Sequence, residues 1–126
     1  GLEFKESSVL RIEDAENCTK KIENFLKKDN YDGVVAVNEL FAVVASKAFK
    51  KMGKSIPEDV AIIAFTDGML SKYASPTLTT IGQKGEDMGG LAAAKLIERL
   101  EGKQEAEESY ETVIVKTSLI ERESTP

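Results

Sequence analysis

At 126 residues, 31% charged and 41% hydrophobic, the chain reads as one soluble globular domain rather than a disordered tail. Its formal net charge of −5 argues against direct capture of a nucleic-acid backbone, which needs clustered Lys and Arg. No apolar run reaches the roughly 18–20 residues of a membrane span, the start does not read as a signal peptide, and histidine is absent, which excludes imidazole-based metal sites and acid–base pairs.

Ser8 to Ile12 has the pattern of a short strand, and Asp14 is placed to cap the helix after it. In that helix Ala15, Cys18, Ile22, Phe25 and Leu26 recur on one stripe, with Lys20, Lys21, Glu23, Asn24 and Lys27 opposite. Cys18 is the only cysteine, so no intrachain disulfide is possible, and its place on the stripe predicts a buried, inert thiol. Tyr31-Asp32-Gly33 turns the chain into a second apolar strand, Val34 to Val37, with Asn38 at its exit. From Glu39 to Met52 the helical period returns: Leu40, Phe41, Val44, Ala45, Ala48, Phe49 and Met52 form a buried face. Glu39, Ser46, Lys47 and Lys50 take the other arc, with Val43 among them as an exposed valine open to a partner. Gly53 closes this helix.

The central stretch opens with a turn at Ile56-Pro57-Glu58-Asp59 and continues as the unbroken apolar run Val60 to Phe65. Such a run predicts a strand buried on both faces, as in a parallel sheet covered by helices. Ligands in such sheets sit beyond the carboxyl ends of the strands, here at Thr66 and Asp67. A turn at Gly68 leads into a short amphipathic piece with Tyr73, broken by Pro76 before a strand at Leu78 to Ile81. Gly82-Gln83-Lys84-Gly85 then precedes a helix from Glu86 to Glu101 whose apolar surface expects cover on most sides, and Gly102 ends it. Lys103 to Ser109 reads as an acidic solvated loop, and Thr112 to Val115 and Ser118 to Ile120 as extended pieces before a polar end. The order is β-α-β-α-β-β-α-β, which predicts an α/β fold: a mainly parallel, Rossmann-like sheet flanked by helices.

Little here supports catalysis. No cysteine–histidine couple or nucleophile elbow exists, and Asp59 and Asp67 lie at opposite ends of one strand. The glycines from Gly82 to Gly90 fit neither phosphate-loop spacing. No cofactor is called for. Asn38 and Thr66-Asp67 both follow apolar strands of consecutive βαβ units, so their amide, hydroxyl and carboxylate groups would face one crevice and suit a small polar ligand such as a sugar or nucleobase. The spacing alone favours the plainer reading, in which Asn38 caps the next helix and Asp67 serves the Gly68 turn.

Five stretches carry a resemblance. Tyr31 to Ala42, Ile56 to Phe65, Ser75 to Ile81, Met88-Gly89 with Ala92, and Arg122-Glu123-Ser124-Thr125 are similar, in the same order, to segments of LacI/GalR-family transcriptional regulators. The resemblance implies the C-terminal lobe of a type I periplasmic-binding-protein-like fold over 1–126, with helix 86–101 belonging to the hinge or other lobe and the DNA-binding segment lying outside the chain. It implies Asn38 and Thr66 as effector contacts, to which the strand-end position adds Asp67, although Thr66 stands where the family has an aspartate and Glu39 where it has another. It further implies a homodimer through Val43, Lys47, Leu70, Tyr73 and Ala74, and a hinge at Gly82, Gln83, Lys84 and Gly85. The helix 86–101, without its usual partner, would fold back or pair with a second chain. The expected protein is a cytoplasmic, non-enzymatic sensor of a sugar-like or nucleoside effector. A periplasmic sugar-binding transport component on the same fold is the alternative.

Overall fold

Asn38 ends one element and begins another. Its extended backbone lets its Oδ1 accept the Phe41 N–H at 2.9 Å, capping α2 (Glu39–Lys51). The other end of α2 is closed by Gly53 at φ +76°, where a Schellman motif forms: Gly53 N–H donates to the Lys50 carbonyl and Lys54 N–H to that of Phe49. The computed structural model describes residues 5–102 and 111–126. Its remaining elements are a 3-10 turn at Glu6–Ser8, α1 (Cys18–Leu26), β1 (Gly33–Ala36), β2 (Ala61–Phe65), α3 (Met69–Tyr73), β3 (Thr79–Gly82), α4 (Gly85–Leu100) and β4 (Ser118–Ile120).

The strands form one sheet in the order β1-β2-β3-β4, the first three parallel and β4 antiparallel. The register pairs Val34 with Ile62, Ala36 with Ala64, Ile63 with Thr79 and Ile81 with Leu119. α2 packs along β1 and β2, and α1 packs along α2. Between them lies the core: Cys18, Ile22 and Leu26 from α1, Ala42, Ala45, Ala48 and Phe49 from α2, and Ala36, Val60, Ile62, Ala64 and Leu78 from the sheet side. Burying a side chain such as Phe49 or Ile62 stabilises the fold by about 1.5–3 kcal/mol. The expected fold class is the one observed.

Several local expectations are corrected. Ile62 and Ala64 are fully buried, but Ala61, Ile63 and Phe65 are only half-buried, so β2 is covered on one face. Among the described residues no helix packs closely on the other side, and Val35 and Leu119 there are 73% and 57% exposed. Residues 9–12 do not join the sheet: a cavity of about 500 Å³ separates them from β1, so no ladder forms along that strand's outer edge. Asp14 does not cap α1: it accepts the Glu16 N–H and the Asn17 amide in a local turn, which delays the helix to Cys18 and leaves Ala15 exposed. Residues 112–115 are not a strand, since the antiparallel partner of β3 is Ser118–Ile120. On α2, Ser46 is buried and Leu40 exposed, the reverse of the helical-wheel assignment, because α2 meets the sheet, α1 and α3 at once. Among the described residues α4 does not fold back: it packs closely on no other helix or strand there, and its large apolar side chains stay exposed. The expected loop at Lys103 to Ser109 lies outside the described residues.

The chain end is part of the sheet's support. The buried Ser124 accepts the Thr79 N–H at its Oγ (2.8 Å), donates that hydroxyl to the Ile62 carbonyl (2.6 Å), and offers its own carbonyl to the Ile62 N–H (2.8 Å). One serine thus fills the wedge where β2 and β3 begin.

Candidate functional site: the carboxyl ends of β1 and β2

The pairing of Ala36 with Ala64 leaves Asn38 and Thr66 each two residues past the last paired position of adjacent parallel strands. The two residues therefore leave the same, carboxyl edge of the sheet from neighbouring strands, which lie about 4.8 Å apart where they pair. Asn38 is half-buried and commits its Oδ1 to the α2 cap. Capping does not use its amide N–H groups, which are the donors an asparagine has left for another acceptor.

Thr66 is exposed and holds φ at +84°, with its N–H donating to the Ile81 carbonyl at 3.0 Å. A β-branched residue in this region is an outlier that costs about 1–3 kcal/mol, a kind of strain concentrated at ligand sites. The result is a threonine whose hydroxyl is available beside Asn38 with no regular strand continuing past it.

Asp67 does something different from what was expected. Its Oδ1 accepts from Arg122 Nη2 at 2.6 Å and from Thr80 Oγ1 at 2.9 Å, and Lys72 Nζ stands 3.8 Å from its Oδ2. Arg122 also donates to the Leu78 carbonyl and the Thr80 hydroxyl. Burial alone would push the Asp67 carboxyl up, but Arg122, Thr80 and Lys72 outweigh it and hold it below the usual aspartate range. Asp67 is therefore neither a free acceptor in the crevice nor the cap of the Gly68 turn; it ties the end of β2 to the chain terminus. The sequence offered Arg122 as part of a motif, but a polar terminal run gives no sign of a partner 55 residues upstream.

The residues expected at a self-association face fall on α2 and α3. Lys47, Leu70 and Tyr73 are exposed, Tyr73 at 80%, whereas Val43 and Ala74 are half-buried and pack against the core. Leu40 and Met69 are exposed on the same two helices and were missed: Leu40 falls in register with Val43 and Lys47 at i, i+3 and i+7, and Met69 opens a helix too short for periodicity to reveal.

At the expected hinge, Gly82 ends β3, Gln83 and Lys84 link it to α4, and Gly85 begins α4. Lys84 adopts the left-handed conformation at φ +50°. Gly82 is a matter of space and not of flexibility, since a Cβ there would stand 3.1 Å from Ile120 Cδ1. Among the described residues no group of three or more Cys, Asp or Glu side chains is placed to hold a metal, and no helix is long and apolar enough to cross a membrane.

Against known proteins, the model of the periplasmic binding protein-like domain matches residues 4–125. The ribose operon repressor of Halalkalibacterium halodurans is 32% identical over 119 residues, covering 94% of this chain and 34% of its own. A LacI family transcriptional regulator from Arthrobacter sp. FB24, in complex with lactose, superimposes with a TM-score of 0.80 at 30% identity over 90% of this chain and 42% of that one. The transcriptional regulator CelR in its cellobiose complex gives a TM-score of 0.82 at 27% identity over 98% of this chain and 37% of the other. The chain thus spans roughly a third of the length of that curated relative and under half of those structures.

Proposed function

The chain belongs to the periplasmic binding protein-like domain family, in the form found in LacI-type transcriptional regulators, and we propose that it senses a saccharide effector and self-associates within such a regulator. The observation that supports this reading is the parallel register of β1 and β2, whose adjacent carboxyl ends lead into Asn38 and Thr66. An amide donor and a strained, exposed hydroxyl suit the alternating donors and acceptors of a sugar. The relatives bound to lactose and cellobiose support a saccharide over a nucleoside, and their naming as regulators supports this reading over a transport component.

Asp67 in this reading supports the floor of the cleft through Arg122 instead of touching effector. Lys47, Leu70 and Tyr73, with Leu40, Val43, Met69 and Ala74, supply a homodimer face, and Gln83–Lys84 the hinge of the crossover into α4. Operator DNA would be met by a segment outside these residues. The protein acts in the cytoplasm and performs no chemistry on its ligand.

Titrating the intact protein with lactose, cellobiose and ribose, followed by calorimetry, tests the site. At least one sugar should bind, and Thr66→Ala and Asn38→Asp should each weaken it about tenfold, the equivalent of one hydrogen bond of about 1.4 kcal/mol. Asn38→Asp keeps a capping oxygen for α2, so a loss cannot be traced to an unravelled helix. A sugar that binds both variants as tightly as the wild type removes this crevice from consideration.

A further inference from the structure

Glu39 sits next to Asn38 at the start of α2, yet its carboxylate reaches away from its own helix. Its Oε1 accepts the backbone N–H of Gly68 at 2.6 Å and that of Ser71 at 3.0 Å. The buried Ser71 hydroxyl adds its field without completing a hydrogen bond. Burial would push this carboxyl up, but Ser71, Gly68 and Leu70 more than offset it and hold it below the usual glutamate range.

The helix so gripped has few other ties. α3 has five residues, buries only Ser71, and turns Met69, Leu70 and Tyr73 outward. The Ser71 carbonyl accepts the Leu78 N–H at 2.9 Å, Lys72 approaches Asp67 at 3.8 Å, and Lys50 from the far end of α2 holds the Ser75 carbonyl beyond α3. Glu39 is the tie at the cleft end. Gly68 carries the mark of the same constraint: a Cβ there would stand 2.4 Å from Glu39 Oε2, although its φ of −111° suits any residue.

We infer that Glu39 is a positioning residue that fixes α3 against the cleft end of α2, so that movement of Asn38 on effector binding is passed to the self-association face. This rests on the reading of Asn38 and α3 given above. The cleft and the face are then joined through one carboxylate and two backbone amides, over a single residue step in sequence. Allosteric coupling requires such a shared two-position element.

Two variants break the tie by different chemistry. Glu39→Gln keeps the shape but removes the charge that strengthens both hydrogen bonds. Gly68→Ala leaves the charge and expels the carboxylate, because the Cβ takes its place. In the intact protein, hydrogen exchange at the Gly68 and Ser71 amides should speed at least about tenfold in both, while amides in the core of α2 stay protected. The dimer dissociation constant from sedimentation equilibrium should rise about tenfold in both. Glu39→Ala combined with Gly68→Ala should be no worse than either alone, since both remove one interaction. Faster exchange with an unchanged dissociation constant overturns the coupling and leaves Glu39 a local cap. A wild-type protein that stays monomeric overturns the coupling together with the reading of α3 as an association face.

Discussion

Single residues at the edge of the sheet carry strain and charge out of proportion to their size. Thr66 pays for its left-handed backbone with steric energy that glycine would not incur. Thr66→Gly is therefore expected to raise stability by about 1 kcal/mol in chemical denaturation, while abolishing the hydroxyl offered to ligand. A loss of stability would show that the Thr66 side chain is held by its surroundings and not exposed by them. The Asp67–Arg122 pair has the opposite character: both side chains are about one-sixth exposed (17% and 16%), and the carboxyl is held below its usual range. A depressed carboxyl adds stability that is complete above its unfolded pKa of about 3.9 and fades as pH falls through its lower folded value. Arg122→Met should cost about 1–3 kcal/mol at neutral pH, less than for a fully buried pair because water still reaches both groups. The difference between variant and wild type should shrink below about pH 4. A denaturation series from neutral to acid pH measures both.

At the scale of elements, what the sequence showed depended on whether the controlling contact was local. The cap at Asn38 and the stop at Gly53 were legible because each is closed by residues within five positions. The apolar runs that became β1, β2 and β3 were legible for the same reason, and their order followed from the alternation with helices. Residues 8–12 and 112–115 carried the right composition for strands, but a strand exists only where its backbone pairs with a neighbour's, and sequence cannot show that: a cavity separates 8–12 from the open edge of β1, and 118–120 pairs with β3 in place of 112–115. The wheel of α2 misplaced Ser46 and Leu40 since three neighbours, α1, the sheet and α3, define its buried arc. Topology alone puts Asn38 and Thr66 after adjacent strands, whereas the Asp67–Arg122 and Glu39–Gly68 contacts join residues 55 and 29 apart and leave no local sign in the sequence. α4 shows the limit of local propensity. Gly89 and Gly90 sit inside it with open space where a Cβ would go, so nothing in this arrangement demands glycine. An exposed helix of this kind is marginal, and each Gly→Ala change should favour it by about 0.5–1 kcal/mol. Circular dichroism of the double variant should show more helix, with α4 amides exchanging more slowly; unchanged exchange would mean the helix is held by contacts and not by propensity.

For the whole molecule, the decisive asymmetry is that one face of the sheet is packed and the other is not. α1 and α2 enclose a continuous core, while Val35, Ile63, Phe65, Ile81 and Leu119 lie on the opposite side by the register of the strands. Val35 and Leu119 are exposed there and Ile63, Phe65 and Ile81 half-buried, so this face and the apolar surface of α4 should dominate the chain's behaviour in concentrated solution. The energetic consequence is specific. A residue already in water loses little hydrophobic stabilisation when made polar, so Val35→Thr and Leu119→Lys should each change stability by no more than about 0.5 kcal/mol. Ile62→Ala, on the packed side of the same strand system and fully buried, should cost about 2–5 kcal/mol. The two exposed changes should nevertheless cut light scattering at high protein concentration, because they place a polar atom or a charge within the apolar patch. Melting curves and static light scattering on this chain separate the two effects. If Leu119→Lys unfolds the protein as Ile62→Ala does, the sheet is covered on both sides in solution and its open face is not the state the molecule occupies.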